Sequence, residues 1–368
     1  MDLTLTREQM ELRDRAAIFS GAQLRPNWSR IEIDDELVLL LSAKAKGEGL
    51  ADFWMGESAD GFDLTTLIIL IEELAWGDGS LALAIANKYL AHRAAQLSGD
   101  RDILSRVADR LSATAQGLEA VLLWPQTYGL DFRAAAPAQS LIKTGEGRLY
   151  VESRNSTARP QTSLLMGTAL TDKGQGTHAF YLIDMKLDDV ALIIEQRESL
   201  GLKASLFGDV TLEKRLGPHD LVVEFKDEAA YGSFWRTLSA ERRLLYSAVQ
   251  VGIARAAFEY ALEYSKERVA FGKPISQHQA VGLKLADMAT ALDAARLMIW
   301  RAAETEAGGL DDERVESAWL YVKQSSIDVA VEAVQVLGGH GYLKFHPVEM
   351  WMRDIQFLRI LLDDSDTF

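Results

Sequence analysis

Two segments of this chain carry side chains whose types and spacing suit ligand chemistry. The first reads Arg268-Val269-Ala270-Phe271-Gly272-Lys273-Pro274-Ile275-Ser276-Gln277-His278-Gln279, and the second Gln335-Val336-Leu337-Gly338-Gly339-His340-Gly341-Tyr342. A dinucleotide needs a guanidinium for its pyrophosphate, amides for hydrogen bonds, and glycine where backbone must come close. Both segments supply such groups. Taken singly, each residue serves equally well as a helix-end ion pair or an amide cap. Gly272 and Pro274 also break one helix before the next, and Gly338-Gly339 read as a helix end with a left-handed cap. A third charged cluster, Glu241-Arg242-Arg243, has the ordinary reading of a solvated helix face.

The elements that must position these residues follow from periodicity. From about Gly232 four long helical patterns can be drawn, at 233–268, 277–306, 312–337 and 347–362. The breaks between them are short, which favours antiparallel neighbours and a four-helix bundle. Between about 118 and 226 the pattern changes to short apolar runs with β-branched or aromatic residues. These are Ala120–Trp124, Ser140–Lys143, Leu149–Glu152, Ser163–Met166, Ala179–Ile183, Val190–Ile194 and Asp220–Phe225. Runs of this length between Gly-, Pro- and Asp-bearing turns predict a small sheet or barrel. Residues 1 to about 115 read as helices, with Thr6 opening one and Asp78 or Ser80 placed to cap another. The expected architecture is multidomain α+β: a helical domain at 1–116, a β domain at 117–230 and a four-helix bundle at 231–368.

Composition narrows the function. The 368 residues exceed one ordinary core, and 48% hydrophobic with 25% charged residues reads as a globular protein. A net charge of −15 argues against a nucleic-acid surface, although Arg242 and Arg243 leave room for a small anionic ligand. The chain has no Cys, so disulfides, thiol nucleophiles and thiolate metal sites are excluded; no metal is expected. The N-terminus has neither a signal-peptide nor a transit-peptide pattern. The apolar run from Leu64 to Ile71 ends at Glu72-Glu73, far short of the roughly 20 residues a span needs. A cytoplasmic protein with no membrane partner is expected.

In this order and spacing, the segments at 268–279 and 335–342 resemble the carboxyl-terminal bundle of the flavin-dependent acyl-CoA dehydrogenases. The similarity extends over residues 240–355, through Leu285-Ala286-Asp287-Met288, Arg296, Pro347-Val348-Glu349 and Arg353-Asp354. It is looser at Thr6-Arg7-Glu8-Gln9, Glu72-Glu73-Leu74-Ala75 and Gly79-Ser80-Leu81-Ala82. The resemblance implies that Arg268, Phe271, Gln279, Gln335, Gly338 and Gly339 contact FAD. In the family these positions reach the adenosine and pyrophosphate of a neighbouring subunit's FAD, so they would form half of a site shared across the interface. Arg243 would lie near the acyl-CoA, and Arg353-Asp354 would serve packing.

The departures from the family pattern matter as much. Its Thr-Glu-Pro segment along the flavin is here Leu122-Leu123-Trp124-Pro125-Gln126-Thr127. Its flavin-covering Trp-Ile-Thr is here Arg154-Asn155-Ser156-Thr157, with Ser156 left to replace the Thr hydroxyl. The catalytic Glu should stand at Leu362, and the alternative base position on the first bundle helix is Arg242. Removing a proton alpha to a thioester needs a carboxylate within reach, and a guanidinium is effectively always protonated. Asp363 could serve only if the terminal helix shifts by one residue. The chain therefore resembles the base-less subunit of two-chain dehydrogenases acting on bulky acyl-CoA substrates such as steroid side-chain thioesters. A homologous, base-bearing partner and a tetramer are implied. A self-sufficient homotetramer using Asp363, other flavin chemistry on the same scaffold, and a non-catalytic assembly subunit remain as alternatives.

Overall fold

The computed structural model describes residues 5–52, 54, 63–113, 120–124, 140–143, 146–156, 164–172, 177–185, 191–205, 207–304 and 309–361. Helix α1 (Arg7–Phe19) starts at a capping box. The Thr6 hydroxyl accepts from the Gln9 N–H at 3.2 Å and the Gln9 side chain accepts from the Thr6 N–H at 2.9 Å. The short α2 (Trp28–Ile31) follows, and then aspartates cap three successive helices. Asp34 opens α3 (Asp35–Gly47), Asp63 opens α4 (Leu64–Gly77), and Asp78 opens α5 (Gly79–Leu97) by accepting from the Leu81 N–H at 2.8 Å. Helix α6 (Arg101–Ala113) closes the helical region.

Among the described residues eight strands follow: β1 (Ala120–Leu122), β2 (Ser140–Lys143), β3 (Arg148–Ser156), β4 (Leu164–Thr171), β5 (His178–Asp184), β6 (Ala191–Gln196), β7 (Gly208–Arg215) and β8 (Leu221–Glu224). They form one sheet in the order β6-β7-β3-β2-β4-β5-β8, with β1 beside β4. The β1–β4 and β2–β4 pairs are parallel and the others antiparallel. The periodicity reading has no strand at 208–215, yet β7 joins β3 to β6. Its burial alternates strictly from Gly208 to Arg215, but Lys214 stands on the buried side. That inward charge hides the apolar alternation. It is tolerated because Lys214 Nζ lies 2.5 Å from the Asp220 carboxylate, with side chains 2% and 1% exposed.

The remaining chain is α7 (Glu228–Glu267), the two-residue strands β9 (Val269–Ala270) and β10 (Lys273–Pro274), α8 (Gln279–Ala303), α9 (Asp312–Leu337) and α10 (Val348–Leu361). Four helices are found where four are expected, but α7 begins at Glu228, capped by Asp227, rather than at 233. Residues 275–277 form a 3-10 turn, so α8 starts two residues late.

One apolar core runs from α1 through α4, α5 and α7 to α9 and α10, and includes one face of the sheet. A second, smaller core covers the other face around Leu149, Leu165 and Tyr181. Helix α7 passes so close to α4 that a Cβ on Gly252 would lie 2.4 Å from the Glu72 carbonyl oxygen. Beside that contact, Arg255 donates to both Glu73 oxygens (2.9 and 2.7 Å) and Arg296 donates to Glu72 (2.7 Å). These ion pairs are largely buried and fasten α4 to α7 and α8. Removing either partner would strand a charge in the interior. Arg353 on α10 ties to Glu349, Glu32 and the Leu200 carbonyl, and Asp354 accepts from the Leu202 N–H at 2.6 Å. That pair does hold α10 to the rest of the molecule.

Candidate functional site

The residues after α7 form a small, self-locked loop. β9 and β10 pair across Phe271-Gly272, and both turn residues have positive φ (52° and 82°), as two-residue hairpin turns require. Phenylalanine is disfavoured there, yet Phe271 adopts that conformation with 96% of its surface exposed. The loop is held by Ile275 N–H donating to the Arg268 carbonyl (2.8 Å), Lys273 Nζ donating to the Gln277 carbonyl (3.0 Å), and the His278 ring beside the Ala270 carbonyl (3.1 Å). Arg268 is the C-cap residue of α7 and its side chain is exposed. Of the local acids that would give it an ordinary ion pair, Glu263 is taken by Lys266 at 2.6 Å, and Glu267 makes no ion pair among the described residues. Among the described residues Arg268 has no side-chain ion pair.

The second segment lies at the same end of the bundle. Tyr264, one turn before Arg268, faces the rings of His340 and His346, with centroids 6.3 and 5.9 Å away. Lys284 and Glu332 pair between the start of α8 and the end of α9. Gln279, Gln335, Gly338 and Gly339 are all exposed on this end. Gly338 ends α9 with φ 59° and ψ −135°, positive in φ as expected but outside the left-handed helical region. One guanidinium, two amides, an aromatic ring and two glycines are thus all solvent-exposed, on segments that meet at this end of the bundle. That donor set fits the phosphate and ribose side of a dinucleotide.

Midway along α7 the situation is reversed. Glu241 is 5% exposed and accepts from Tyr89 Oη (3.0 Å) and Arg93 Nε (3.0 Å). Burial raises its pKa, and Arg93 and then Tyr89 partly oppose that rise. The Arg242 guanidinium lies over the Trp124 ring at 4.3 Å and the Tyr246 ring at 5.2 Å, and donates to the Leu361 carbonyl at 3.2 Å. Tyr246 in turn donates to the Asn87 side chain at 2.7 Å. Arg243 is paired with Glu316 across to α9. The triplet 241–243 is therefore not a uniformly solvated face: Glu241 and Arg242 find partners inside the fold, and Arg243 pairs with Glu316 at its partly exposed edge. Arg242 brings the end of α10, at Leu361, against Trp124. Leu362 and Asp363 themselves lie outside the described residues, as do Pro125-Gln126-Thr127, Thr157 and the side chains of Arg154, Asn155 and Ser156.

Sequence reasoning missed Lys88 and His92, buried on α5, and the Tyr89 and Arg93 partners of Glu241. The available signal was a Lys and a His four residues apart in a helix otherwise rich in Ala, Leu and Ile. Among the described residues no group of His, Asp and Glu is arranged to hold a metal ion, and no helix is long and apolar enough to cross a membrane.

Residues 235–362 match the family model for the carboxyl-terminal domain of acyl-CoA dehydrogenases. Over 380 aligned positions the chain is 28% identical to the short-chain-specific acyl-CoA dehydrogenase of Clostridium acetobutylicum, covering 100% of this chain and 97% of that one. The fold is shared with butyryl-CoA dehydrogenase from Megasphaera elsdenii at a TM-score of 0.81 and 23% identity, over 98% and 96% of the two chains. It is also shared with a glutaryl-CoA dehydrogenase from Mycobacterium smegmatis solved with FADH2, at a TM-score of 0.79 and 17% identity, over 98% and 92%. With helices before the sheet, a bundle after it, and the match falling on the helices that carry both candidate surfaces, the chain is similar to the acyl-CoA dehydrogenases over its whole length and to their carboxyl-terminal domain over residues 235–362.

Proposed function

We propose that this chain takes part in FAD-dependent α,β-dehydrogenation of an acyl-CoA thioester, supplying the adenosine-side half of an FAD site in trans but not the catalytic base. The observation that carries the reading is the pairing of two states on one helix. At its end, α7 presents Arg268 and Phe271 to solvent beside Gln279, Gln335, Gly338 and Gly339. In its middle, Arg242 stands on the helix where some family members carry the base, fixed by Trp124, Tyr246 and Leu361.

In the bound state Arg268 would meet the pyrophosphate, the two amides would hydrogen-bond the adenosine side, and Phe271 would pack against it. The glycines would let the backbone of residues 338–339 approach closely. FAD supplies the acceptor for the hydride that leaves the β carbon. The α proton needs a carboxylate in reach, which neither Arg242 nor the tied-up Glu241 provides. A homologous, base-bearing subunit in a mixed tetramer would complete the site, and the acyl group would be bulky, of the steroid side-chain kind. The whole reading places the protein in the cytoplasm.

The chain purified alone is expected to turn over no acyl-CoA. Dehydrogenation by the pure chain at an ordinary rate, about 1 to 1000 per second, contradicts the reading. A second reading is favoured by the match to the full length of the clostridial dehydrogenase. In it the chain is a self-sufficient homotetramer with Asp363 as base, and Asp363→Asn would abolish the activity found.

A further inference from the structure

We propose that Asp354 and Leu202 form a proton-dependent latch between α10 and the connection from β6 to β7, one that tightens as the pH falls. Residues 200–203 lie so close to α10 that a Cβ on Gly201 would stand 2.3 Å from the Arg353 carbonyl oxygen. The next residue, Leu202, is 1% exposed and has φ 49°, a left-handed conformation that a leucine rarely adopts unaided. The Asp354 carboxylate holds it there by accepting from the Leu202 N–H at 2.6 Å. Arg353 donates to the Leu200 carbonyl just before this contact in the chain, and the Phe207 ring meets that of Phe357 just after it, with centroids 4.7 Å apart.

Asp354 is 7% exposed, yet among the described residues it makes no ion pair. The cations beside it are spent: Arg353 pairs with Glu349 and Glu32, and Lys203 pairs with Glu32 at 3.4 Å. A second buried carboxylate, Asp78, adds negative charge to the same place. Asp78 caps α5, and a Cβ on its neighbour Gly79 would lie 3.1 Å from Leu202 Cδ2. A neutral Asp354 carboxyl can stay here and still accept through its carbonyl oxygen. An ionised one gains by reaching water, and the contact with Leu202 must open to let it. Burial, reinforced by Asp78 and Glu32, accordingly raises Asp354 to about 7, against the pull of Leu202 and Arg353, and burial raises Asp78 to about 6. Both values stand above the roughly 4 of an open chain, so the stability they contribute is full in acid. It is lost as the pH climbs to about 7. Helix α10 ends at the Leu361 carbonyl that accepts from Arg242, so a loosened seat for α10 reaches the middle of α7. This inference stands apart from the half-site reading, since no group of the exposed bundle end is involved.

The test is amide hydrogen exchange of the full chain, read by mass spectrometry over peptides spanning residues 200–205 and corrected for the intrinsic pH dependence of exchange. Protection there should fall about tenfold or more between about pH 5 and pH 7 and level off above that, while peptides from 244–254 inside α7 keep theirs. Asp354→Asn keeps an acceptor for the Leu202 N–H and carries no charge, so its protection at 200–205 should be independent of pH. A flat wild-type profile, a rise with pH, or a fall that survives Asp354→Asn overturns the proposal. If Asp354→Asn does not fold, Asp78→Asn decides. Asparagine still caps α5, and with the neighbouring charge gone the pH at which protection levels off should move down. An unmoved profile overturns the proposal.

Discussion

Helix α7 carries two regions of opposite character, and their contrast is the most instructive feature of the molecule. At its carboxyl end Arg268 and Phe271 face solvent, with no local acid on the guanidinium and an unfavourable backbone angle spent on an exposed ring. Seven turns earlier, Glu241, Arg242 and Arg243 are each bound by a different element: α5, the end of β1 with α10, and α9. Polar groups that a fold satisfies internally are structural, and the ones it leaves open are available to a partner. The difference is therefore one of address, with an open surface at the end, where the proposed reading puts FAD binding in trans, and architecture in the middle.

Glu241→Ala should give the largest effect on this contrast. Two donors, Tyr89 and Arg93, would lose a buried carboxylate, and breaking a buried pair of this kind costs about 3–5 kcal/mol. Denaturant unfolding would report that loss directly. A change below about 1 kcal/mol would mean that the middle of α7 is as open as its end.

Arg268→Ala should do the reverse, leaving unfolding almost unchanged while flavin retention by the assembly falls. A charge-assisted bond contributes roughly 1.5–3 kcal/mol, so a loss of about 2 kcal/mol weakens FAD binding about thirtyfold. Equal flavin occupancy in wild-type and variant assemblies at limiting FAD would return Arg268 to the role of a helix-end charge. The assignments of Gln279, Gln335, Gly338 and Gly339, which share its argument, would fall with it.

How much of this was legible in the sequence follows the same division. The exposed end announced itself, because Gly272, Pro274 and Gly338 punctuate the chain where its helices stop. The long helices were legible from their apolar stripes, and Thr6 and Asp78 from cap chemistry. Strand β7 was hidden by Lys214, whose partner Asp220 lies beyond the next turn. The partners of Glu241 were out of reach for a plainer reason. Tyr89 and Arg93 stand about 150 positions away, and nothing in a helical stripe says which distant helix will supply a hydroxyl or a guanidinium. Lys88 shows the same limit, since its burial depends on how α5 sits within the core.

The central claim is that this chain completes a flavin site elsewhere rather than its own. Flavin stoichiometry tests it most directly, measured by absorbance against protein concentration in the assembly formed with a base-bearing homologue and in the chain alone. The account predicts one FAD per pair of chains in the assembly and a colourless chain in isolation. One FAD per chain, in either preparation, would contradict it.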